Sequence, residues 1–282
     1  LPQSTTAEAF APAKVNLSLH VTGQRADGYH LLDSLVVFAG IGDHLNARAA
    51  PRTSLRVTGP MQGTVPDGGD NLVLRAAALF DPPVGAEITL TKNLPAAAGL
   101  GGGSSDAAAC LSALSGLSGR PLPPRAAQLT LGADVPACVV GVPLRMQGIG
   151  ERLTAWPPLP PLWLVLVNPG VGVSTPEVFR GLDSRDNAPM PDMPHARSAA
   201  DFLHWLRAQR NDMQSAACRI APEIGGVLAA IAETPGCQLA RMSGSGATCF
   251  GLYTSPDSAG QAALRIARAQ PRWWCQAGAI LD

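Results

Sequence analysis

No net charge is left on this chain of 282 residues once its 21 lysines and arginines are set against its 21 aspartates and glutamates. Without a basic excess nothing draws nucleic acid or an anionic membrane surface from a distance, so the expected partner is a small molecule and not either of these. Cysteine is sparse and scattered. Cys110, Cys138, Cys218, Cys237, Cys249 and Cys275 include no C-x-x-C pair, which leaves neither a zinc knuckle nor a disulfide framework and predicts reduced thiols in the cytosol. His20, His44, His195 and His204 lack ligand-like spacing, so no protein-built metal site is expected. The apolar run Leu162 to Val167 is far shorter than the roughly 20 residues of a membrane helix. Leu1 to Phe10 shows no basic flank followed by an apolar stretch, so the chain is expected in the cytoplasm. Internal repeats are also absent.

What remains is a globular mixture, with 46% hydrophobic and 15% charged residues. Single cores stop growing near roughly 250 to 300 residues, so two domains are expected. The proline-rich stretch Trp156 to Pro161 marks the break, giving domains 1–155 and 156–282. Val15, Leu17, Leu19 and Val21 alternate with Asn16, Ser18, His20 and Thr22, which predicts a half-buried strand with Lys14 and Asn16 on its polar face. A polar turn at Gly23 to Gly28 and a second strand at Leu31 to Phe38 make this a hairpin, with Tyr29 and His30 at the bend. Further strands are predicted around Ile88 and Leu90, at Trp163 to Val167, Leu239 to Met242, Thr248 to Tyr253 and Trp273 to Ala279. Helices are predicted from a cap at Asp70 or Asn71 through Phe80, over Ala107 to Leu117, from Thr175, and over Ala200 to Arg210, Pro222 to Glu233 and Pro256 to Ala269. The segment Asp183 to Arg197 reads as a mobile loop. The sum is an α+β arrangement.

One segment carries chemistry by itself. Pro95, Ala96, Ala97, Ala98, Gly99, Leu100, Gly101, Gly102, Gly103, Ser104 and Ser105 run directly into a helix. Glycines let backbone N–H groups turn toward an anion, the helix start adds partial positive charge, and serine hydroxyls reach phosphate. A Walker loop would end in Gly-Lys-Ser/Thr, and no lysine follows Gly103. A Rossmann loop would follow its strand at once and carry an acidic residue about 20 positions on; here Asn93 to Ala98 intervene and residues 119 to 126 hold no acid.

This loop resembles the central motif of the GHMP kinases. Ala11-Pro12-Ala13-Lys14-Val15-Asn16-Leu17 resembles the first motif of that family, and Ser243-Gly244-Ser245-Gly246-Ala247-Thr248 its third, which in the family packs against the phosphate loop. The order of the three is correct across the whole chain. The resemblance implies a two-domain fold with an N-terminal domain like domain 2 of ribosomal protein S5 and a ferredoxin-like C-terminal domain, with the active site in the cleft between them. It also implies ATP as donor, with Mg²⁺ arriving on the nucleotide.

Within the family, Gly23 to His30 resembles a cytidine-recognising turn, Leu131-Gly132-Ala133-Asp134-Val135-Pro136 a catalytic aspartate segment, and Asn168-Pro169-Gly170 with Thr175-Pro176-Glu177-Val178-Phe179 an acceptor wall. The implied acceptor is a cytidine-diphosphate sugar alcohol. By resemblance Asp134 takes or orients the hydroxyl proton and Lys14 holds Asp134. Asn16 and Thr175 contact the acceptor, Tyr29 and Phe179 sandwich the cytosine, and His30 reads its edge. Without the family, Asp134 reads equally as a helix or turn cap and Lys14 as an exposed strand residue; Phe179 reads as core and His30 as a hairpin-end polar residue. A non-catalytic sensor on the same fold is the alternative of a different class. Asn211-Asp212 lacks the glutamate that usually follows in the family, Gln214 standing there instead, and is read as a cap or packing anchor.

Overall fold

Apolar residues alternate with polar ones from Val15 to Thr22, but the expected single strand is broken: one strand ends at Asn16 and the next begins at His20, and both faces are buried, Lys14, Asn16, Ser18 and His20 being as enclosed as the apolar residues between them. The computed structural model describes residues 5–64, 68–193 and 198–282. His195 and the end of the predicted mobile segment therefore lie outside the described residues. In chain order the elements begin with β1 (Thr6–Asn16), β2 (His20–Gln24), β3 (His30–Ala49), β4 (Ser54–Thr58), α1 (Leu72–Ala77), β5 (Ala86–Thr91), α2 (Gly102–Ser118), α3 (Arg125–Leu129) and α4 (Val135–Val140). They continue with β6 (Leu144–Gly148), β7 (Arg152–Ala155), β8 (Trp163–Asn168), α5 (Thr175–Arg180), α6 (Ala199–Arg207), α7 (Gln214–Ile220), α8 (Glu223–Ala232), β9 (Leu239–Met242), β10 (Cys249–Tyr253), α9 (Pro256–Ala269) and β11 (Trp274–Leu281).

The chain groups into two compact units. The first comprises Leu1–Lys14, Gly42–Ala96 and Gly101–Gly141, and the second Val15–Ile41, Ala97–Leu100 and Val142–Asp282. A single cut near residue 155 does not describe this grouping, because β1 and β3 each run continuously from one unit into the other.

In the first unit β4 lies parallel to β5, and β5 pairs antiparallel with the end of β3, His44 opposite Thr91 and Ala49 opposite Ala86. Leu45, Ala47, Ile88 and Leu90 present one face to α1 and α2, where they meet Val73, Phe80, Leu111 and Leu114. Alanines at 107, 108, 109 and 113 in α2 remove side-chain bulk so that helix and sheet pack closely. The predicted cap of α1 is Asn71, whose Oδ1 accepts from Val73 N at 2.9 Å. Helix α2 begins at Gly102, five residues before its predicted start, with Gly101 at φ 61° as its left-handed N-cap and Gly119 at φ 67° closing it.

In the second unit β9, β10, β8 and β11 form an antiparallel sheet in that order. Helix α8 leads into β9 and α9 joins β10 to β11, so the β8-α8-β9-β10-α9-β11 path is the expected ferredoxin-like unit. Val165, Val167, Ile224, Val227, Cys249 and Ile266 fill the layer between helices and sheet. The β2–β3 hairpin, with His20 opposite Asp33 and Gln24 opposite His30, carries the predicted turn. Residues 183–193 form neither helix nor strand, but they are anchored. Met190 is buried and its N–H donates to Asp33 Oδ2 at 3.1 Å, while Asn187 N–H donates to Val21 O.

Candidate active site

Asp134 directly precedes α4, where an aspartate ordinarily caps the helix, yet its carboxylate accepts no hydrogen bond from that helix. It receives Lys14 Nζ at 2.7 Å instead, across 120 positions of sequence. The lysine side chain is 6% exposed and the aspartate 30%, so the cation is enclosed while the carboxylate is reachable from solvent. The cap and the exposed-strand readings of these two residues are both set aside by this contact.

Gly101 lies against the lysine stem. A Cβ there would sit 3.2 Å from Lys14 Cβ and 3.3 Å from Cε. The next residues, Gly102, Gly103 and Ser104, form the first turn of α2, whose N–H groups have no partner within the helix. Free donors of this kind, with the helix dipole, suit an anion. Ser105 differs from its expected role. It is buried, and its hydroxyl donates to Pro12 O at 2.7 Å and lies 3.3 Å from Cys138 Sγ. Ser105 thus ties β1, two residues before Lys14, to α4, one turn after Asp134, and leaves Ser104 as the hydroxyl at the loop. Pro95 and Ala96 lead into the turn from β5.

The middle of the loop, Ala97 to Leu100, belongs to the second unit, and there it meets the third motif as expected. Ser243 Oγ donates to Gly99 O at 2.8 Å and Thr248 N–H donates to Ala98 O at 3.2 Å. Gly99 has φ 73°, and a Cβ on it would fall 2.3 Å from Ser243 O, so only glycine fits. Ala98 and Leu100 bury their side chains and offer only backbone. Ala97 takes φ 50°, which costs an L-residue about 1–2 kcal/mol. Ala97→Gly is therefore expected to raise the thermal midpoint by about 2–4 °C, read by calorimetry; an unchanged or lower midpoint would remove the strain assigned to this position.

Asn16 is 1% exposed and not the solvated strand residue that alternation allows. Its N–H donates to Ser243 Oγ, its Nδ2 donates to Ser34 Oγ at 2.7 Å, and its Oδ1 has no partner among the described residues. Asn211 Nδ2 donates to Met242 O and Gly244 O, and Asp212 Oδ2 accepts from Val21 N–H. These two anchor the third motif and the hairpin, as their packing reading requires.

A pocket of 620 Å³ opens in the second unit between the hairpin turn and α5, walled by Tyr29, His30, Thr175, Phe179, Arg180 and Arg185. The rings of His30 and Phe179 stack at 4.1 Å with 8° between planes, which leaves no room for a base between them. Tyr29, 62% exposed, is the free aromatic surface at the pocket, with Phe179 lining it beside the stacked His30. Burial, and then the Arg185 charge, lower the His30 pKa, so the imidazole is neutral near pH 7. Thr175 Oγ1 lies 2.7 Å from Ser245 Oγ, which couples the pocket wall to the third motif.

The chain's similarities agree with this geometry. Residues 71–142 match the GHMP kinases N terminal domain and residues 194–272 the GHMP kinases C terminal domain. A 4-diphosphocytidyl-2-C-methyl-D-erythritol kinase of Cereibacter sphaeroides (strain ATCC 17025 / ATH 2.4.3) is 55% identical over 271 residues, 95% of this chain and 97% of that protein. The chain belongs to the GHMP kinases. The kinase of the same name from Ruegeria pomeroyi is 55% identical over 97% of this chain and 99% of its own length. A crystal structure of 4-(cytidine 5'-diphospho)-2C-methyl-D-erythritol kinase superposes with a TM-score of 0.79 at 37% identity, covering 98% of this chain and 99% of that one. A homoserine kinase from Cytophaga hutchinsonii, at 17% identity and a TM-score of 0.65, shares the fold. As a GHMP kinase the chain uses ATP.

One group of this GHMP kinase escaped the sequence reading. Lys92, Asp43 and Asp106 form a buried ion cluster in the first unit. The available signal was a charge inside an apolar setting, Asp43 within β3 and Asp106 among alanines, since such residues are rarely buried unless paired.

Proposed function

We propose that the chain transfers the γ-phosphate of ATP to the 2-hydroxyl of 4-diphosphocytidyl-2-C-methyl-D-erythritol, giving ADP and the 2-phosphate in the non-mevalonate route to isoprenoid precursors. The observation that carries the reading is the 2.7 Å contact between Lys14 and Asp134, which holds a carboxylate beside the first turn of α2. Phosphoryl transfer needs little covalent help; it needs a positioned hydroxyl, an acceptor for its proton and positive charge facing the developing negative charge. Asp134 accepts the proton. Lys14 holds the carboxylate in place and stabilises the incipient alkoxide. The loop from Pro95 to Ser104 holds the triphosphate through backbone N–H groups, and Mg²⁺ arrives with the nucleotide, held by phosphate oxygens and water.

The acceptor reading is supported by the names of the relatives and by the chemistry of the pocket. Tyr29 and Phe179, which line the pocket, offer aromatic surface to a cytosine, while Arg180 and Arg185 beside them put positive charge where a diphosphate would lie. Asn16 Oδ1, buried without a partner, is available to an acceptor hydroxyl. A coupled assay with purified protein tests the assignment: ADP release with the cytidyl compound is expected. Phosphorylation of mevalonate or homoserine with none of the cytidyl compound would overturn it. Tyr29→Ala is expected to raise KM for the cytidyl acceptor about tenfold, the ordinary worth of one base stacked on an aromatic ring, and to leave KM for ATP unchanged. An unmoved acceptor KM would remove Tyr29 from the site.

A further inference from the structure

Behind the phosphate loop lies a group that the transfer chemistry does not use. Lys92 follows β5, Asp43 lies on β3 and Asp106 lies in the second turn of α2; their side chains are 2%, 0% and 4% exposed. Lys92 Nζ donates to Asp43 Oδ2 at 2.5 Å and to Asp106 Oδ2 at 2.6 Å. Asp43 Oδ1 accepts the N–H groups of Asn93 and Leu94 at 2.5 and 2.9 Å. The triad therefore grips the chain just before Pro95 through Asp43 and just after Ser105 through Asp106, the two ends of the loop. A Cβ on Gly102 would lie 3.6 Å from Lys92 Nζ, so the ammonium sits directly behind the first turn of α2.

With both carboxylates ionised the group holds one uncompensated negative charge out of water, an expensive arrangement. It also stands behind the turn that a triphosphate would approach. Asp106 is the member with a lone pair to spare, because its Oδ1 is buried without a hydrogen-bond partner among the described residues.

We infer that Lys92, Asp43 and Asp106 are positioning residues for the nucleotide: they clamp both ends of the phosphate loop to one buried point, and Asp106 takes a proton from solvent as the triphosphate settles on the loop. This rests on the reading of the loop as the triphosphate site.

Burial pushes the Asp106 carboxyl up to about 7, against the opposing pull of Lys92 and with a further push from Asp43. Burial pulls the Lys92 ammonium down, but the Asp106 and Asp43 carboxylates outweigh it and hold Lys92 above its ordinary value. Among the described residues, the charges acting on Asp106 are Lys92 and Asp43. Cys138 of α4 is a neutral thiol pushed up to about 12 by burial, and Arg75, the charged residue of α1, donates to Thr130 O at 3.0 Å. A proton on Asp106 brings the triad to zero net charge and removes the repulsion felt by the incoming phosphates.

The test is calorimetric titration of the full chain with a non-hydrolysable ATP analogue and Mg²⁺ at pH 6 to 8.5, in buffers of differing ionisation enthalpy, for wild type, Asp106→Asn and Gly103→Asp. Asparagine preserves an acceptor for Lys92 and cannot titrate. Gly103→Asp puts an acid at an exposed first-turn position, where it favours the helix and opposes phosphate. Wild type is expected to take up protons on binding beyond the count for Asp106→Asn, and to lose at least about fivefold in affinity across this range, the lower end of ordinary coupling between two sites. The Asp106→Asn profile should be flat by comparison. Equal proton counts and equal pH profiles in wild type and Asp106→Asn, with Gly103→Asp binding weakly, would overturn the inference and leave the loop as the phosphate site. Unchanged binding by Gly103→Asp would overturn the loop reading itself. Should Asp106→Asn fail to fold, an absence of proton uptake by wild type beyond that of the nucleotide is enough to overturn the inference.

Discussion

Asp134→Asn is expected to lower kcat by about 10²- to 10⁴-fold, the range a positioned general base contributes, while the dissociation constant for ATP changes by less than about twofold. Asparagine preserves the shape beside Lys14 and still offers an oxygen to Nζ, so the 2.7 Å contact can persist. What it cannot do is take the hydroxyl proton. Rapid-quench measurement of the phosphorylated product gives the rate of the chemical step, and equilibrium binding gives the nucleotide affinity. Equal turnover in the variant would show that Asp134 is not the proton acceptor, and a collapse of ATP affinity would show that the pair serves binding more than chemistry.

Lys92→Met is expected to destabilise the fold by about 3–5 kcal/mol, because removing one partner of a buried ion group leaves the remainder uncompensated. Two carboxylates would then face each other behind α2, with only the N–H groups of Asn93 and Leu94 still answering Asp43. Such a loss is a large part of the roughly 5–15 kcal/mol that holds an ordinary domain together. It should be smaller at pH 5 than at pH 8, since protonating a carboxyl relieves the pair. The wild-type protein has a related dependence. The folded chain binds a proton at Asp106 more tightly than the unfolded chain does, so this residue's contribution is fully present below the ordinary aspartate value and is lost as pH rises through about 7. Urea unfolding at the two pH values checks both statements. The double variant Lys92→Met/Asp106→Asn should recover part of the loss; if it is no more stable than the single variant, the two side chains are not energetically coupled.

Elements with a strong local signal are the ones that could be read in advance. Helix α9 spans Pro256–Ala269 as its serine cap and apolar spacing require, and β8, β9 and β10 stand where their apolar runs place them. The short helices α3, α4 and α7, of 5, 6 and 7 residues, went unseen. Fewer than two turns cannot display a 3.6-residue period, so helices this short are legible only from a start signal, as at Asn71 for α1 and Thr175-Pro176 for α5. The start of α2 was placed late because glycines at 102 and 103 read as loop, although unfavourable helix propensity is readily overridden by packing.

In the site the same division holds. Sequence alone marked the phosphate loop, because it is a short run whose chemistry is local; the order of the three motifs, the aspartate segment at Asp134 and the aromatic residues Tyr29 and Phe179 are legible only through the family resemblance. Only the tertiary structure decided which polar groups are spent inside the protein. It turned Ser105 inward onto Pro12 and Cys138, turned the His30 ring onto Phe179 and buried the far face of β1. It also joined Lys14 to Asp134 across 120 positions and gathered Asp43, Lys92 and Asp106 around one ammonium. The reason is that alternation marks which residues share a face of a strand, while whether that face meets water or another element is set by what packs on it from distant parts of the chain.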